Sequence, residues 1–297
     1  MKSRSQAEEE KKTKVYKPSR ATQLFDVWRK LKKSKMALAG FGIVLFMTLA
    51  ALFAPVIAPY DPGWMGSARL APSPVHLFGT DASGRDLLTL VIYGARISLY
   101  VGLAAVMLEM FIGLVVGMVA GYFGGKIDEI LMRITDVILT LPMLMLLIVA
   151  VAMFEVRSIH LIVLVMGVFG WPEMARYVRS EFLTLRETTF VEAATSMGAS
   201  SWRIILRHIL PNALSIIIVI ATMDIPWYIF YEATLTFLGF GDLSSPSWGV
   251  LLERGYDFAA YQWWIITFPG LALFFTSLGF NLFGDGLRDA LDVKMRE

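Results

Sequence analysis

The 297-residue chain contains no cysteine and only three histidines, His76, His160 and His208, which lie far apart. Lack of cysteine excludes disulfides, thiolate metal sites and a cysteine nucleophile. The histidines form no H-E-x-x-H or comparable spacing, so no metal ligand set is predicted. Nor is there a G-x-x-x-x-G-K-[ST] loop. The nearest fragment, Gly124-Gly125-Lys126-Ile127, lacks both its spacing and its hydroxyl, so P-loop cleavage of ATP by this chain alone is excluded. Charge is also scarce: charged residues make up 18% of the chain, against about 25% in soluble domains.

Apolar residues fill the difference, at 56% of the chain and a mean hydropathy of +0.61. Such a surplus has to face something other than water. Six apolar runs approach the roughly 20 residues that cross about 30 Å of hydrocarbon. They are Met36–Ala58, Leu99–Tyr122, Ile130–Phe154, Ile159–Tyr177, Ala213–Phe230 and Trp264–Phe283. The first exceeds the 7–15-residue core of a signal peptide and reads as a retained span.

Six spans place both termini on one side. Segments 1–35, 122–135, 172–212 and the C-terminal tail hold 12, 2, 5 and 3 Lys or Arg. The alternating set (the loop before the second span, the turn around 157, and 231–262) holds 3, 1 and 1. The positive-inside rule therefore predicts cytoplasmic termini and a cytoplasmic 172–212 loop. The expected division is a basic cytoplasmic tail over 1–35, a first transmembrane helix over 36–58 and an extracytoplasmic segment over 59–98. A five-helix core over 99–283 follows, with a loop at 178–212, and then a cytoplasmic tail over 284–297. By composition the two outer segments read as connecting loops with an interfacial aromatic belt.

Span two carries a small-residue stripe, Ala105, Glu109, Gly113, Gly117 and Gly121, each four apart. Positions i and i+4 share a helix face, and glycines so placed let another backbone approach closely. Glu109 on that stripe is either a hydrogen-bonded packing residue or the wall of a polar path. Span five offers Asp224, Pro226, Trp227, Tyr228 and Glu232. A proline there frees a carbonyl that protein or water must satisfy. Together these residues predict that Glu109, Asp224, Trp227, Tyr228 and Glu232 border a central pathway.

The inner loop is the most informative stretch. Thr189-Phe190-Val191-Glu192 reads as a capping box opening a short helix, Phe190–Met197. Gly198 is placed to end it in the left-handed conformation. Ser200 or Ser201 then caps a second helix from Trp202, and Pro211 opens the fifth span. The first helix is expected to expose Ala193, Ala194 and Ser196, a small-faced knob for a groove on another protein. A hairpin lying on the membrane is the alternative.

Glu192-Ala193-Ala194, Gly198 and Ile209-Leu210-Pro211 resemble the EAA signature of ABC-importer permeases. Gly79-Thr80-Asp81, Gly84-Arg85-Asp86, Tyr93-Gly94-Ala95-Arg96, Phe237-Leu238-Gly239-Phe240-Gly241 and Asn281–Asp289 are similar to the dipeptide/oligopeptide permease subunits of the C type. The likeness covers residues 36–293. Thr236 stands where serine is usual, and Met223–Tyr231 is bulkier than the family pattern.

The resemblance implies an all-α type I importer permease in the plasma (inner) membrane, paired with a paralogous permease as a heterodimer. Two ABC ATPase subunits carrying ATP and Mg would dock inside and a substrate-binding protein outside. This chain would hold no cofactor or metal, do no catalysis and bind no nucleic acid. Glu192, Ala193, Ala194, Ser196, Met197, Gly198 and Ala199 would form the coupling helix gripped by the ATPase, and 59–98 would gain a docking role. Di- and oligopeptides are the implied cargo, with oligosaccharide, glutathione or nickel as alternatives. Two other classes stand against this reading: an ion-driven secondary transporter using Glu109 and Asp224, and a membrane scaffold without a pathway.

Overall fold

The computed structural model describes residues 29–154 and 157–292. Most of the basic tail, residues 1–28, and the last five residues lie outside this range. Among the described residues every regular element is helical, and one isolated bridge joins Thr80 to Asp86.

Helix α1 spans Lys35–Leu52, where the Ser34 hydroxyl accepts from the Ala37 N–H. A single turn, α2, follows at Ala54–Ile57. Helix α3 runs Leu87–Phe123, about 55 Å at 1.5 Å per residue. It starts twelve residues ahead of the predicted boundary. Asp86 caps it, accepting from the Thr89 N–H and hydroxyl, both at 2.8 Å. Leu87, Leu90, Val91 and Ala95 are buried on its first turns, so this stretch packs as a helix and is not loop.

The third predicted span is broken. Helix α4, Gly125–Leu139, and helix α5, Met143–Ala152, meet at 83°. Pro142 causes the break: its ring pushes the preceding residue out of the helical region, and it donates no hydrogen bond. Helix α6 spans Ile159–Arg186, capped by Ser158. Its residues 174–182 meet the glycines of α3 in ascending order, so α3 and α6 run parallel. The chain between them must return to its starting side, which makes the bent α4–α5 pair one crossing and the total six.

Helix α7, Thr189–Ser196, is followed by α8, Ser201–Ile204, a π-turn at Ile205–Ile209 and α9, Leu210–Phe237. The short second helix and a fifth span opened by Pro211 in its first turn are found as expected; the π-turn joins them without a sharp bend, so Ser201–Phe237 runs as one 37-residue rod. Pro211 has no N–H to return to the preceding turn. The helix widens just ahead of it, with the Leu210 N–H reaching the Ile205 carbonyl. The Asn212 side chain satisfies the His208 carbonyl at 2.6 Å. Helix α10, Trp248–Tyr256, and helix α11, Trp264–Asp292, complete the chain.

The α3–α6 pair is the most extensive contact, α1 lies along α11, and α9 packs on α3 and α11. Large apolar side chains such as Phe46, Met107, Phe111 and Val149 point outward and exposed, as lipid-facing helices require.

Candidate functional site

The glycine stripe brings two backbones into contact. A Cβ on Gly113 would lie 2.7 Å from Met174 Cβ, one on Gly117 2.6 Å from the Ala175 carbonyl, and one on Gly121 2.7 Å from Phe182 Cβ. No side chain on these three glycines would fit against α6, and Glu109, one turn earlier on the same stripe, is 3% exposed.

Glu109 lines a cavity of about 320 Å³ between α3, α6, α9 and the α4–α5 break. Glu173, Asp224, Trp227, Tyr228 and Tyr231 line it too, with Leu139, Leu141 and Met143 from the break. The structure thus brings together four of the five predicted path residues. Tyr228 and Glu109 stand together in this lining, and Glu109 Oε2 is buried without a hydrogen-bond partner. The Tyr231 ring stands 6.5 Å from Trp227 and 6.4 Å from Tyr228, centre to centre. Asp224 is half-buried and Glu173 exposed, so the three carboxyls grade from depth to mouth. Sequence reading missed Glu173. The available signal was an acid directly after Pro172 inside a span, the counterpart of Asp224 two residues before Pro226.

Glu232 is the exception. It lies eight residues past Asp224, about 80° further round the helix, and faces α10 instead. Buried to 1% exposure, it accepts from the Thr236 hydroxyl at 3.0 Å and the Ser247 hydroxyl at 2.7 Å. Ser247 also caps α10 through the Val250 N–H. Glu232 therefore ties two helices together and does not border the cavity. Thr236 contributes the hydroxyl that serine would supply.

At the end of α3 nearest Phe123 sits the elbow. The expected capping box does not form. Thr188, not Thr189, is the cap residue; its hydroxyl donates back to the Leu185 carbonyl, and no side-chain cap bond is made. The C-terminus does close as a Schellman motif. The Gly198 N–H reaches the Thr195 carbonyl at 2.9 Å and the Ala199 N–H the Ala194 carbonyl at 3.1 Å, with Gly198 at φ +77°. Glu192, Ala193, Ser196, Met197 and Gly198 are exposed and Ala199 is half-buried. Ala194 is not exposed as expected: three residues after the buried Val191, it shares the inward face and is 2% exposed. Beside the elbow Trp202 packs on Phe123. Asp128 pairs with Arg179, and Asp136 with Arg176, binding α4 to α6.

The opposite end is also built and is not a loose connection. Asp81 holds the Ser83 and Arg85 N–H groups and pairs with the Arg85 guanidinium at 2.6 Å. His76 Nδ1 lies 3.0 Å from Asp86. The Trp248 indole donates to the Val91 carbonyl at 3.0 Å and the Trp264 indole to the Thr80 carbonyl at 3.3 Å. Loop and helix ends form one packed cap.

Two family models match the chain. Residues 113–297 match the binding-protein-dependent transport system inner membrane component. Residues 22–72 match the N-terminal transmembrane domain of oligopeptide transport permease C. The chain is 41% identical over 276 residues to a dipeptide transport system permease protein, DppC, of Bacillus subtilis, covering 91% of this chain and 86% of that one. It is 38% identical over 276 residues to the oligopeptide transport system permease protein OppC of the same organism, covering 92% and 90%. In fold it is similar to a chain of the MetNI methionine ABC transporter in an inward-facing conformation. That match has a TM-score of 0.58 and 21% identity, over 68% of this chain and 96% of the other.

Proposed function

The chain belongs to the family of binding-protein-dependent transport system inner membrane components, and on that premise we propose that it is one of two permeases of an ATP-driven di- and oligopeptide importer. It is a multi-pass inner-membrane protein. Its termini and elbow face the cytoplasm, and the packed cap faces a substrate-binding protein. The paralogous permease completes the pore, and two ATPase subunits, which carry ATP and Mg, hold the elbows. Lipid surrounds the apolar belt.

One observation carries this reading. The rod Ser201–Phe237 begins beside the elbow and passes through the cavity wall at Asp224–Tyr231. From Ser201 to Asp224 is about 35 Å at the helical rise. A partner that grips Glu192, Ala193, Ser196, Met197 and Gly198 holds one end of a stiff lever whose far part borders the path. ATP-driven closure of the ATPases swings the levers and opens the cavity outward, and hydrolysis resets them. Phosphate chemistry stays with the partner; this chain supplies half a path and its lever.

The test exploits the lack of cysteine. Met197 is 80% exposed, so Met197→Cys provides a unique thiol on the elbow. It should cross-link to the ATPase subunit in assembled complex, and peptide uptake into vesicles should need ATP and no proton gradient. Uptake driven by a proton gradient without the ATPases would refute the proposal. Uptake of glutathione, nickel or an oligosaccharide in place of peptide would keep the machine and change its cargo.

A further inference from the structure

Three carboxyls from three helices, Glu109, Glu173 and Asp224, share the cavity, and no Lys, Arg or His lines it. Each lies near the middle of its helix, at the depth where broken helices gather substrate sites. Glu109 Oε2 is buried with no partner. A buried acceptor oxygen without a donor is costly unless something arrives to satisfy it. The three acids come from three different helices and spread along the cavity wall, a span that an organic cation can follow. Trp227 and Tyr231 add aromatic faces, which attract an ammonium within about 6 Å. At about 320 Å³ the cavity falls at the lower end of small-ligand sites, roughly 300–1,000 Å³.

We infer that this cavity is a cation station: it takes the ammonium group of a passing peptide, N-terminal or lysyl, from Glu173 at the mouth through Asp224 to Glu109 at the base. An ammonium brings three donors and no acceptor, the complement of the three carboxyls. The attraction is strongest where water is scarce. This inference rests on the peptide-importer reading and adds to it a charge preference held in the permease itself, separate from the selectivity of the binding protein.

The test uses the full importer in vesicles, with Ala-Lys-Ala and its neutral isostere Ala-norleucine-Ala each loaded beforehand on the binding protein. The wild type should import the lysine peptide faster. Glu173→Gln, Asp224→Asn and Glu109→Gln should each lower that ratio, and the triple variant should bring it to one. The expected loss is roughly tenfold, the scale of one charge-assisted hydrogen bond. Co-purification of the subunits and ATP turnover report assembly. If Glu109→Gln fails to assemble, Glu173→Gln at the exposed mouth carries the test alone. Import of both peptides with a ratio of one in the wild type, or with a ratio the variants leave unchanged, overturns the cation station and leaves the peptide reading standing. Import of neither peptide by an assembled, ATP-hydrolysing wild type overturns both.

Discussion

Tyr228 lays its hydroxyl against the backbone of Gly170: a Cβ on Gly170 would lie 1.8 Å from Tyr228 Oη. Tyr228 also lines the cavity together with Glu109. One phenol thus locks α9 against α6 in the wall that also holds Glu109. That geometry needs a glycine at 170, because any larger residue occupies the space of the oxygen.

Gly170→Ala should therefore displace the ring and cost about 1–3 kcal/mol, the usual penalty for overpacking. Adding Tyr228→Phe removes the clashing atom and should recover part of the loss. Thermal unfolding of the two single variants and the double variant in detergent would measure the coupling. Strict additivity would show that the two residues do not meet.

Gly198→Val should leave the protein folded in the membrane while uncoupling transport from ATP turnover. A side chain at positive φ costs roughly 1–2 kcal/mol, and open space surrounds Gly198, so the effect falls on the elbow angle and not on packing. Vesicle uptake and ATP hydrolysis, measured side by side, should diverge. Normal uptake would count against the lever.

Gly117→Leu should force α3 from α6 and lower the yield of assembled complex, with a penalty of at least the roughly 1–3 kcal/mol of an overpacked core. Gly42→Leu is the matched control. It sits in a span, α1, but a Cβ there meets nothing within 4 Å. Equal yields from the two variants would contradict the close α3–α6 seam.

Glu232 has two hydroxyl donors, and each is testable. Ser247→Ala removes one donor and the cap of α10, and should cost about 1–3 kcal/mol as a buried hydrogen-bond loss. Thr236→Val should cost a similar amount, whereas Thr236→Ser keeps the hydroxyl and should change stability little. Thermal midpoints of the three variants would rank them. A selective change in peptide preference in any of them would instead return Glu232 to the path.

Much of this protein is local information. Apolar runs of membrane length, the charge asymmetry between alternate loops, a glycine every fourth residue from Gly113 to Gly121, and Gly198 after a short helix depend only on composition and helical period. They could be read without knowing what packs on what. Pro142 was equally local, since it alone accounts for the break between α4 and α5, but the run around it is long and apolar enough overall to read as one span. Tertiary structure decided the rest. Glu173 joins the cavity and Glu232 leaves it, Ala194 turns inward while Ala193 faces out, and the helix continues through Pro211 as one rod. Each of these outcomes depends on how far one helix is rotated and shifted against its neighbours. That relation is set by contacts between separate helices, as where Gly170 admits Tyr228 and Ser247 meets Glu232, and a one-dimensional pattern carries no measure of it.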